Sequence, residues 1–174
     1  MHRPYQALFL CTGNSARSQM AAALLNRDGA GRFHAYSAGS HPAERVHPVA
    51  LEVLERAELP TQGLYPKAWD TFCGPDAPAL DFVFTVCDKA AAEPCPVWPG
   101  QPLSAHWGFP DPAAYQAVNE AEQRAVFAEV FRQVQTRIRL LVSLPVERLD
   151  RLSLQRRLDE IGREAQGADD RSAV

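Results

Sequence analysis

The sequence predicts an α/β fold built on a parallel β-sheet. Two short apolar segments, residues 7–10 and 81–86, have the length and composition of buried strands. Segments with the apolar spacing of helices follow in the chain, at residues 18–25 and 119–144. Strands that alternate with helices are typical of parallel sheets, because a helix carries the chain back to the start of the next strand.

The first unit is predicted to be a strand, a loop and a helix. The apolar run at residues 7–10 ends at a turn-rich segment, residues 11–15. Residues 18–25 are good helix formers, and Gly29 lies beyond them, where glycine commonly ends a helix. The loop therefore joins the carboxyl end of a strand to the amino end of a helix.

A second strand and helix follow. Residues 34–38 are predicted to form the strand, with Gly39 at its end. Apolar residues recur with a helical period through residues 46–59. Pro60 stops that helix, because proline lacks the backbone N–H that a helix needs.

The second half of the chain repeats the alternation. Residues 81–86 combine β-branched and aromatic side chains, a strong strand signal, and lead directly into Cys87. A shorter strand is predicted near residues 103–107. Residues 119–144 are predicted to form a long helix, whose apolar stripe consists of Val126, Val130, Val134, Ile138 and Leu141.

A charged amphipathic segment, residues 146–165, is predicted to form a further helix. Packing of this helix on the domain is the first interpretation, and a dimer contact is the alternative. The tail, residues 167–174, is predicted to be disordered. We therefore divide the chain into a main domain at residues 1–145, an additional helix at residues 146–166, and the tail.

Length and composition fit one globular domain. The chain has 174 residues, of which 46% are hydrophobic and 22% charged. No apolar run is long enough to span a membrane, and the N-terminus lacks the pattern of a secretory signal. The net charge of −3 argues against broad nucleic-acid binding, which needs a basic surface. We therefore expect a cytoplasmic protein.

The four cysteines are Cys11, Cys73, Cys87 and Cys95. A cytoplasmic location predicts that they are reduced rather than paired in structural disulfides. They form no CxxC pair and no histidine stands at zinc-ligand spacing from them, so no metal site is predicted. The cysteines are then either small buried residues or reactive thiols.

Three features stand at predicted strand ends: Cys11, Cys87 and the segment that leads to Asp111. In open α/β sheets, ligands bind beyond the carboxyl ends of the strands. We therefore expect these features to converge on one site.

The loop after the first strand carries the chemistry. A loop between a strand and the amino end of a helix directs several backbone N–H groups at one point, which suits an anion. Gly13 permits a turn that a Cβ atom would obstruct, and the planar guanidinium of Arg17 suits two oxyanion oxygens. We predict that a tetrahedral oxyanion binds on a loop made of Thr12, Gly13, Asn14, Ser15, Ala16 and Arg17.

Cys11 lies at the base of this loop and is the predicted nucleophile. The N–H groups, the helix dipole and Arg17 all favour a thiolate, so we expect a lowered pKa for Cys11. The hydroxyl of Ser18 is predicted to donate a further hydrogen bond to the sulfur. The alternative, a buried Cys11 beside a solvated Arg17, explains less of the pattern.

The pattern Cys-x-Gly-Asn-x-x-Arg-Ser, at residues 11–18, resembles the low-molecular-weight protein tyrosine phosphatases and the arsenate reductases that share their fold. The likeness covers residues 5–145. It implies a three-layer fold in which helices flank a four-stranded parallel sheet, and to which the C-terminal helix is an addition.

Several segments resemble the reductase branch more closely. They are residues 35–40, 84–88 and 106–112, with the Gln-Met-Ala sequence after Ser18. Many of the phosphatases carry tyrosines after the Asp-Pro pair, where this chain has Ala-Ala-Tyr at residues 113–115. The resemblance therefore implies an arsenate reductase, with a phosphatase of phosphate monoesters as the alternative.

The resemblance also implies a general acid. A carboxylic acid near the thiolate can protonate the oxygen that leaves phosphorus or arsenic. Asp111, which precedes Pro112, matches the Asp-Pro loop of the family. A third hypothesis, a purely anion-sensing protein, has no use for this acid or for a nucleophile.

Reduction of arsenate requires two electrons, for which thiols are the natural source. In the thioredoxin-coupled reductases a second cysteine attacks the adduct on the first, and a third attacks the second. Cys87 and Cys95 match those positions, although seven residues separate them, one more than the family pattern usually has. The alternative to thioredoxin is a low-molecular-weight thiol such as glutathione or mycothiol, followed by a glutaredoxin-like partner.

Other side chains carry secondary expectations. Asn14 is expected to orient the loop through its amide, with help from Ser37, and the resemblance leaves open a bound monovalent cation nearby. No tightly bound cofactor is expected. Cys73 has no motif support and is interpreted as an incidental thiol. His106 and Trp107 are expected to shape the loop of the general acid.

Overall fold

A four-stranded parallel sheet forms the centre of the protein. The computed structural model describes residues 3–94 and 96–172, and from residue 164 onward the backbone alone. The strands stand in the order β2-β1-β3-β4, with the bounds β1 (Tyr5–Cys11), β2 (Phe33–Gly39), β3 (Phe82–Thr85) and β4 (Leu103–His106). The predicted α/β class with four parallel strands is confirmed.

Helices connect the strands and continue beyond them. Their bounds are α1 (Arg17–Asp28), α2 (Pro48–Arg56), α3 (Asp88–Ala92), α4 (Glu120–Ser143) and α5 (Arg151–Ser172). Short 3-10 turns lie at Trp69–Phe72 and Val146–Arg148. Within the described ranges, no helix has both the length and the apolar character that crossing a membrane requires.

The parallel register brings the predicted site segments to one edge of the sheet. Cys11 pairs with Gly39, and Leu10 pairs with Thr85. Thr85 in turn pairs with His106 at the end of β4. The segments that follow β1, β3 and β4 therefore leave the sheet side by side.

The core lies on both faces of the sheet, because successive strand residues point in opposite directions. On one face Phe9 packs on Phe84 and Phe84 on Trp107, with ring centroids 5.2 Å and 4.2 Å apart. The helices α1, α2, α4 and α5 contribute much of the rest of this core. The smaller core on the other face consists of Leu8, Leu10, Ala38, Phe72, Leu80, Val83 and Trp98.

The second helix is shorter than the predicted range of residues 46–59. The Nδ1 atom of His47 accepts a hydrogen bond from the N–H of Val49 at 3.1 Å and caps the start of α2. Beyond the other end of α2, Glu58 takes a left-handed backbone conformation with φ 60°. The chain has therefore left the helix before it reaches Pro60.

The C-terminal helix starts later and extends further than predicted. The carboxylate of Asp150 accepts a hydrogen bond from the N–H of Ser153 at 2.7 Å, a capping contact that starts α5 at Arg151 rather than at residue 146. The helix continues to Ser172, through most of the tail predicted to be disordered. It packs against β4 and α4. The division into a main domain and an added helix stays a prediction.

Candidate active site

The loop at residues 11–18 joins β1 to α1, as the sequence predicts. Cys11 is the last residue of β1 and Arg17 is the first residue of α1. Gly39 of the neighbouring strand lies against this loop, where a Cβ atom would stand 2.4 Å from the carbonyl oxygen of Thr12. A side chain at Gly39 would displace the loop, so the end of β2 fixes its position.

Hydrogen-bond partners enclose the sulfur of Cys11. The residue is 3% exposed, and its Sγ lies 2.8 Å from the Oγ of Ser18. The backbone N–H of Asn14 donates to the same sulfur at 3.2 Å. Because the Nδ2 of Asn14 donates to the Oγ of Ser18 at 2.8 Å, the hydroxyl proton of Ser18 is free to point at the sulfur. The expected contact between Ser18 and Cys11 is therefore present.

Burial raises the pKa of the Cys11 thiol above its ordinary value, because the thiolate loses contact with water. Hydrogen bonding to Ser18 and the charge of Arg17 lower this pKa, while Cys87 raises it. The net direction is opposite to the lowered pKa that we expected. The motif reveals the groups that favour a thiolate but not the depth at which the sulfur lies.

Asn14 braces the loop from beneath. It is fully buried and holds a left-handed backbone conformation with φ 51°. Its Oδ1 accepts hydrogen bonds from the backbone N–H of Lys67 at 2.9 Å and from the Nε2 of Gln19 at 3.2 Å. The same Nε2 donates to the carbonyl oxygens of Asn14 and Tyr65, each at 3.0 Å. These bonds hold the amide that orients Ser18.

Gln19 is a site residue that the sequence analysis missed. In the sequence it is an ordinary helix former at the start of α1, yet it is 1% exposed. Its position directly after Ser18, where the loop enters the helix, is the signal that would have revealed it.

Hydrogen bonds occupy the side-chain oxygen of Asn14, near which the resemblance leaves open a monovalent cation. Its Oδ1 already accepts two hydrogen bonds, so it offers no free lone pair. Lys67 is half-buried and lines, together with Gln19 and Ser37, a cavity other than the one that contains Cys11. Burial lowers the pKa of its ammonium group. Among the described residues, no three His, Cys, Asp or Glu side chains gather where they could hold a metal ion. The donors form a hydrogen-bonded brace instead.

Arg17 connects the loop to the segment after β4. Its Nη1 donates to the carbonyl oxygen of Phe109 at 3.0 Å, and its Nη2 lies 3.7 Å from the Oδ2 of Asp111. The Arg17 side chain is only 14% exposed. The guanidinium is therefore held in one place before an anion binds, which favours bidentate recognition.

Asp111 lies beyond the end of β4, as the sequence predicts, and borders the same cavity as Cys11. Its Oδ1 accepts a hydrogen bond from the N–H of Ala113 at 3.0 Å, which closes a tight turn around Pro112. Its side chain is 43% exposed. The carboxyl group is therefore open to water on one side.

Cys87 follows β3 and caps α3, a short helix that the sequence did not predict. Its Sγ accepts a hydrogen bond from the N–H of Ala90 at 3.3 Å. The Oγ1 of Thr12 lies 3.5 Å from the same sulfur. Cys87 is 3% exposed, so this contact links a second buried thiol to the loop of Cys11.

Of the other two cysteines, the structure describes one, Cys73. Cys95 lies outside the described residues. Cys73 packs with the core on the opposite face of the sheet, and its Sγ donates to the carbonyl oxygen of Trp69 at 3.5 Å. Burial raises the pKa of the Cys73 thiol. Its location agrees with the interpretation of an incidental thiol.

The three segments meet in one cavity of about 520 Å³. Its wall contains Cys11, Arg17, Cys87 and Asp111, together with Thr12, Gly13, Ser15 and Ala16. Asn14 is predicted to contact the oxyanion directly, but the structure places it fully buried beneath the loop. A thiol below a backbone loop and a guanidinium group suits attack on a tetrahedral oxyanion.

Comparison with known proteins gives this arrangement a family. The sequence model of the family "low molecular weight phosphotyrosine protein phosphatase" matches residues 6–155. The chain belongs to this family. Every cavity residue named above lies within the matched range, whereas α5 continues beyond it.

Within this family, the chain resembles proteins named as arsenate reductases. One from Halalkalibacterium halodurans is 35% identical over 131 residues, which make up 75% of this chain and 90% of that protein. A solved arsenate reductase in the phosphate binding state has a TM-score of 0.65 at 28% identity, covering 80% of this chain and 97% of the other. The thioredoxin-dependent arsenate reductase of Corynebacterium glutamicum has a TM-score of 0.58 at 28% identity, covering 81% and 62%.

Proposed function

We propose that this family member reduces arsenate to arsenite in the cytoplasm, for arsenic detoxification. The observation that carries the proposal is the presence of two buried thiols, Cys11 and Cys87, in the cavity that also contains Arg17. Ester hydrolysis needs one thiol, whereas reduction needs a source of two electrons. The similarity to proteins named as arsenate reductases supports the same function.

In the first step, arsenate binds with its oxygens on the loop N–H groups and on Arg17. The thiolate of Cys11 attacks arsenic, a sulfur–arsenic bond forms, and an arsenic–oxygen bond breaks. Asp111 donates a proton to the leaving oxygen, which departs as water. Because burial disfavours the thiolate, the hydrogen bond from Ser18 at 2.8 Å is needed to stabilise it. Arsenic keeps its oxidation state in this step.

In the second step, the thiolate of Cys87 attacks the sulfur of the Cys11 adduct. A disulfide bond forms between the two cysteines and the sulfur–arsenic bond breaks. The electron pair of that bond stays on arsenic, which leaves as arsenite, while the two sulfurs are oxidised. The contact of Thr12 with the Cys87 sulfur, at 3.5 Å, keeps the second thiol beside the loop.

In the third step, Cys95 attacks Cys87, which restores the Cys11 thiol and leaves a disulfide between Cys87 and Cys95. An external thiol reductant, thioredoxin or glutathione with glutaredoxin, then returns two electrons. The relative from Corynebacterium glutamicum, which is described as thioredoxin-dependent, favours thioredoxin. In the alternative route, a low-molecular-weight thiol attacks the adduct and Cys87 takes no part.

The first experiment is arsenate-dependent oxidation of NADPH in two parallel reconstitutions. One contains thioredoxin and thioredoxin reductase, and the other contains glutathione, glutathione reductase and glutaredoxin. Turnover in either establishes the reductase and identifies the donor. Failure in both, together with rapid hydrolysis of an aryl phosphate, would favour the phosphatase.

Two cysteine variants test the relay. We expect Cys87→Ser to form the Cys11 adduct once but to lose multiple turnovers with thioredoxin. The matched control is Cys73→Ser, which removes a thiol on the opposite face of the sheet and leaves turnover unchanged. A Cys87→Ser protein that turns over at the wild-type rate with thioredoxin would rule out the internal relay.

A further inference from the structure

α5 covers the open edge of the sheet. β4 is an edge strand, and an uncovered edge exposes unpaired backbone groups. The Nε2 of Gln155 donates to the carbonyl oxygen of Ser104 at 2.8 Å, and an Nη2 atom of Arg151 donates to that of Gln101 at 2.8 Å. Side chains of α5 thus satisfy one carbonyl group of β4 that a fifth strand would otherwise bind, and another just before the strand.

Just after β4, a backbone carbonyl group of α5 accepts a hydrogen bond from the segment that leaves the strand. The Nε1 of Trp107 donates to the carbonyl oxygen of Leu158 at 3.1 Å. Both residues are buried, with exposures of 1% and 0%. A buried indole N–H requires a partner, and here the partner lies in the middle of α5.

Gly162 allows this approach. A carbonyl oxygen in a helix points toward the residue four places further on, so Gly162 stands beside the oxygen of Leu158. A Cβ atom on Gly162 would lie 2.4 Å from the carbonyl oxygen of His106 and 3.1 Å from the Cδ1 of Trp107. Glycine weakens a helix interior, so its presence in α5 has a packing reason: the segment after β4 passes too close for any side chain.

On its other side, the segment after β4 is hydrogen-bonded to the end of β3 and to Arg17. The N–H of Trp107 donates to the carbonyl oxygen of Thr85 at 2.8 Å, and the N–H of Phe109 donates to that of Val86 at 3.2 Å. The carbonyl oxygen of Phe109 in turn accepts the bond from Arg17 at 3.0 Å. Trp107, which contacts α5, is therefore only two positions before Phe109, which contacts Arg17.

We propose that Gly162 and Leu158 are positioning residues for the oxyanion site. They fix the positions of His106 and Trp107. These positions determine where the Phe109 carbonyl group lies, and thereby the orientation of the Arg17 guanidinium group. Neither residue lines the cavity, so they act through the segment after β4. Binding of an oxyanion tests this role without turnover, whereas an effect on arsenate reduction rests on the proposed function.

The test compares Gly162→Ala with wild type in the binding of inorganic phosphate, measured by calorimetry well below the melting temperature. We expect the dissociation constant to rise about tenfold, the change that corresponds to loss of one well-placed contact with the arginine. Trp107→Phe keeps the ring packing and loses the N–H, and we expect a rise of about threefold. The matched control is Gly74→Ala, because a Cβ atom there meets nothing within 4 Å.

The outcomes separate this proposal from the proposed function. Gly162→Ala and Trp107→Phe proteins that melt earlier but bind phosphate like wild type would show a purely structural contact and overturn the positioning role. Weaker binding in Gly74→Ala to the same extent would overturn it too, as would a wild-type protein that does not bind phosphate. If Gly162→Ala does not fold, Trp107→Phe decides alone. A wild type that binds phosphate but reduces no arsenate refutes the proposed function and leaves this comparison intact.

Discussion

The two thiol-bearing segments that border the cavity are built in opposite ways. The loop at residues 11–18 rests on buried polar side chains, with Asn14 fully buried and Gln19 1% exposed. The segment that starts at Cys87 continues into a helix of five residues, and its Asp88 side chain is 91% exposed. The part that binds an oxyanion is thus fixed in advance, whereas the part proposed to move electrons is held by few bonds.

This difference matches what the two steps require. Displacement at arsenic or phosphorus needs donors that do not reorganise during the reaction. A relay needs a thiol that can meet one sulfur and then another. The contact between Asp88 and His106, 2.8 Å long but exposed to water, contributes little to holding the second segment in place.

The largest expected effect concerns the fixed loop. We expect Cys11→Ser to lower kcat for arsenate by at least about 10⁴-fold, because the nucleophile is lost. Inorganic phosphate should still bind, since Arg17 and the loop backbone remain. A coupled NADPH assay and calorimetry measure the two quantities. Turnover within about tenfold of wild type would mean that the reaction centre lies elsewhere.

The second prediction concerns Asp111, the proposed general acid, which lies beside Arg17. We expect Asp111→Asn to lower kcat by about 10²- to 10³-fold, because an amide cannot protonate the leaving oxygen. Asp88→Asn is the matched control, since this carboxylate borders the same cavity, and its effect should stay within about threefold. Equal losses in both variants would assign the effect to the charge of the cavity rather than to a proton donor.

The third effect concerns the pKa of the nucleophile. Ser18→Ala removes the hydrogen bond that favours the thiolate, so the Cys11 pKa, already raised by burial, should rise further. Thiolate formation then requires a higher pH, and a tenfold smaller thiolate fraction at neutral pH should lower the rate there about tenfold. The ultraviolet absorbance of the thiolate against pH follows this titration, with Cys11→Ser as the blank. A titration that moves to lower pH would contradict the assignment of Ser18.

The smallest effect concerns the brace beneath the loop. Because Asn14 already accepts hydrogen bonds from Gln19 and Lys67, exchange of potassium for a bulky organic cation at constant ionic strength should change kcat/KM by less than about twofold. Gln19→Ala removes one of those donors and should lower kcat/KM about tenfold. Strong potassium activation of wild type would show that a cation displaces part of the brace.

Local patterns predicted most of the fold and most of the residues that line the candidate site. The strand before Cys11, the loop and the helix after it depend on spacing along the chain, which the sequence displays. The direction of the Cys11 pKa and the role of Gln19 depend on burial, which only the packed structure determines. The early end of the helix before Pro60 and the start of α5 at Arg151 depend on capping contacts, which apolar spacing does not reveal.

The capping of α3 by Cys87 links the oxidation state of the protein to its surface. The sulfur of Cys87 is at once a proposed redox centre and the acceptor that begins a helix. Under the proposed relay, we therefore expect formation of a disulfide bond at this atom to disturb the start of α3. We expect the oxidised chain to present a different surface at residues 88–92 from the reduced chain. A reductase that docks there could distinguish spent enzyme from ready enzyme by shape alone.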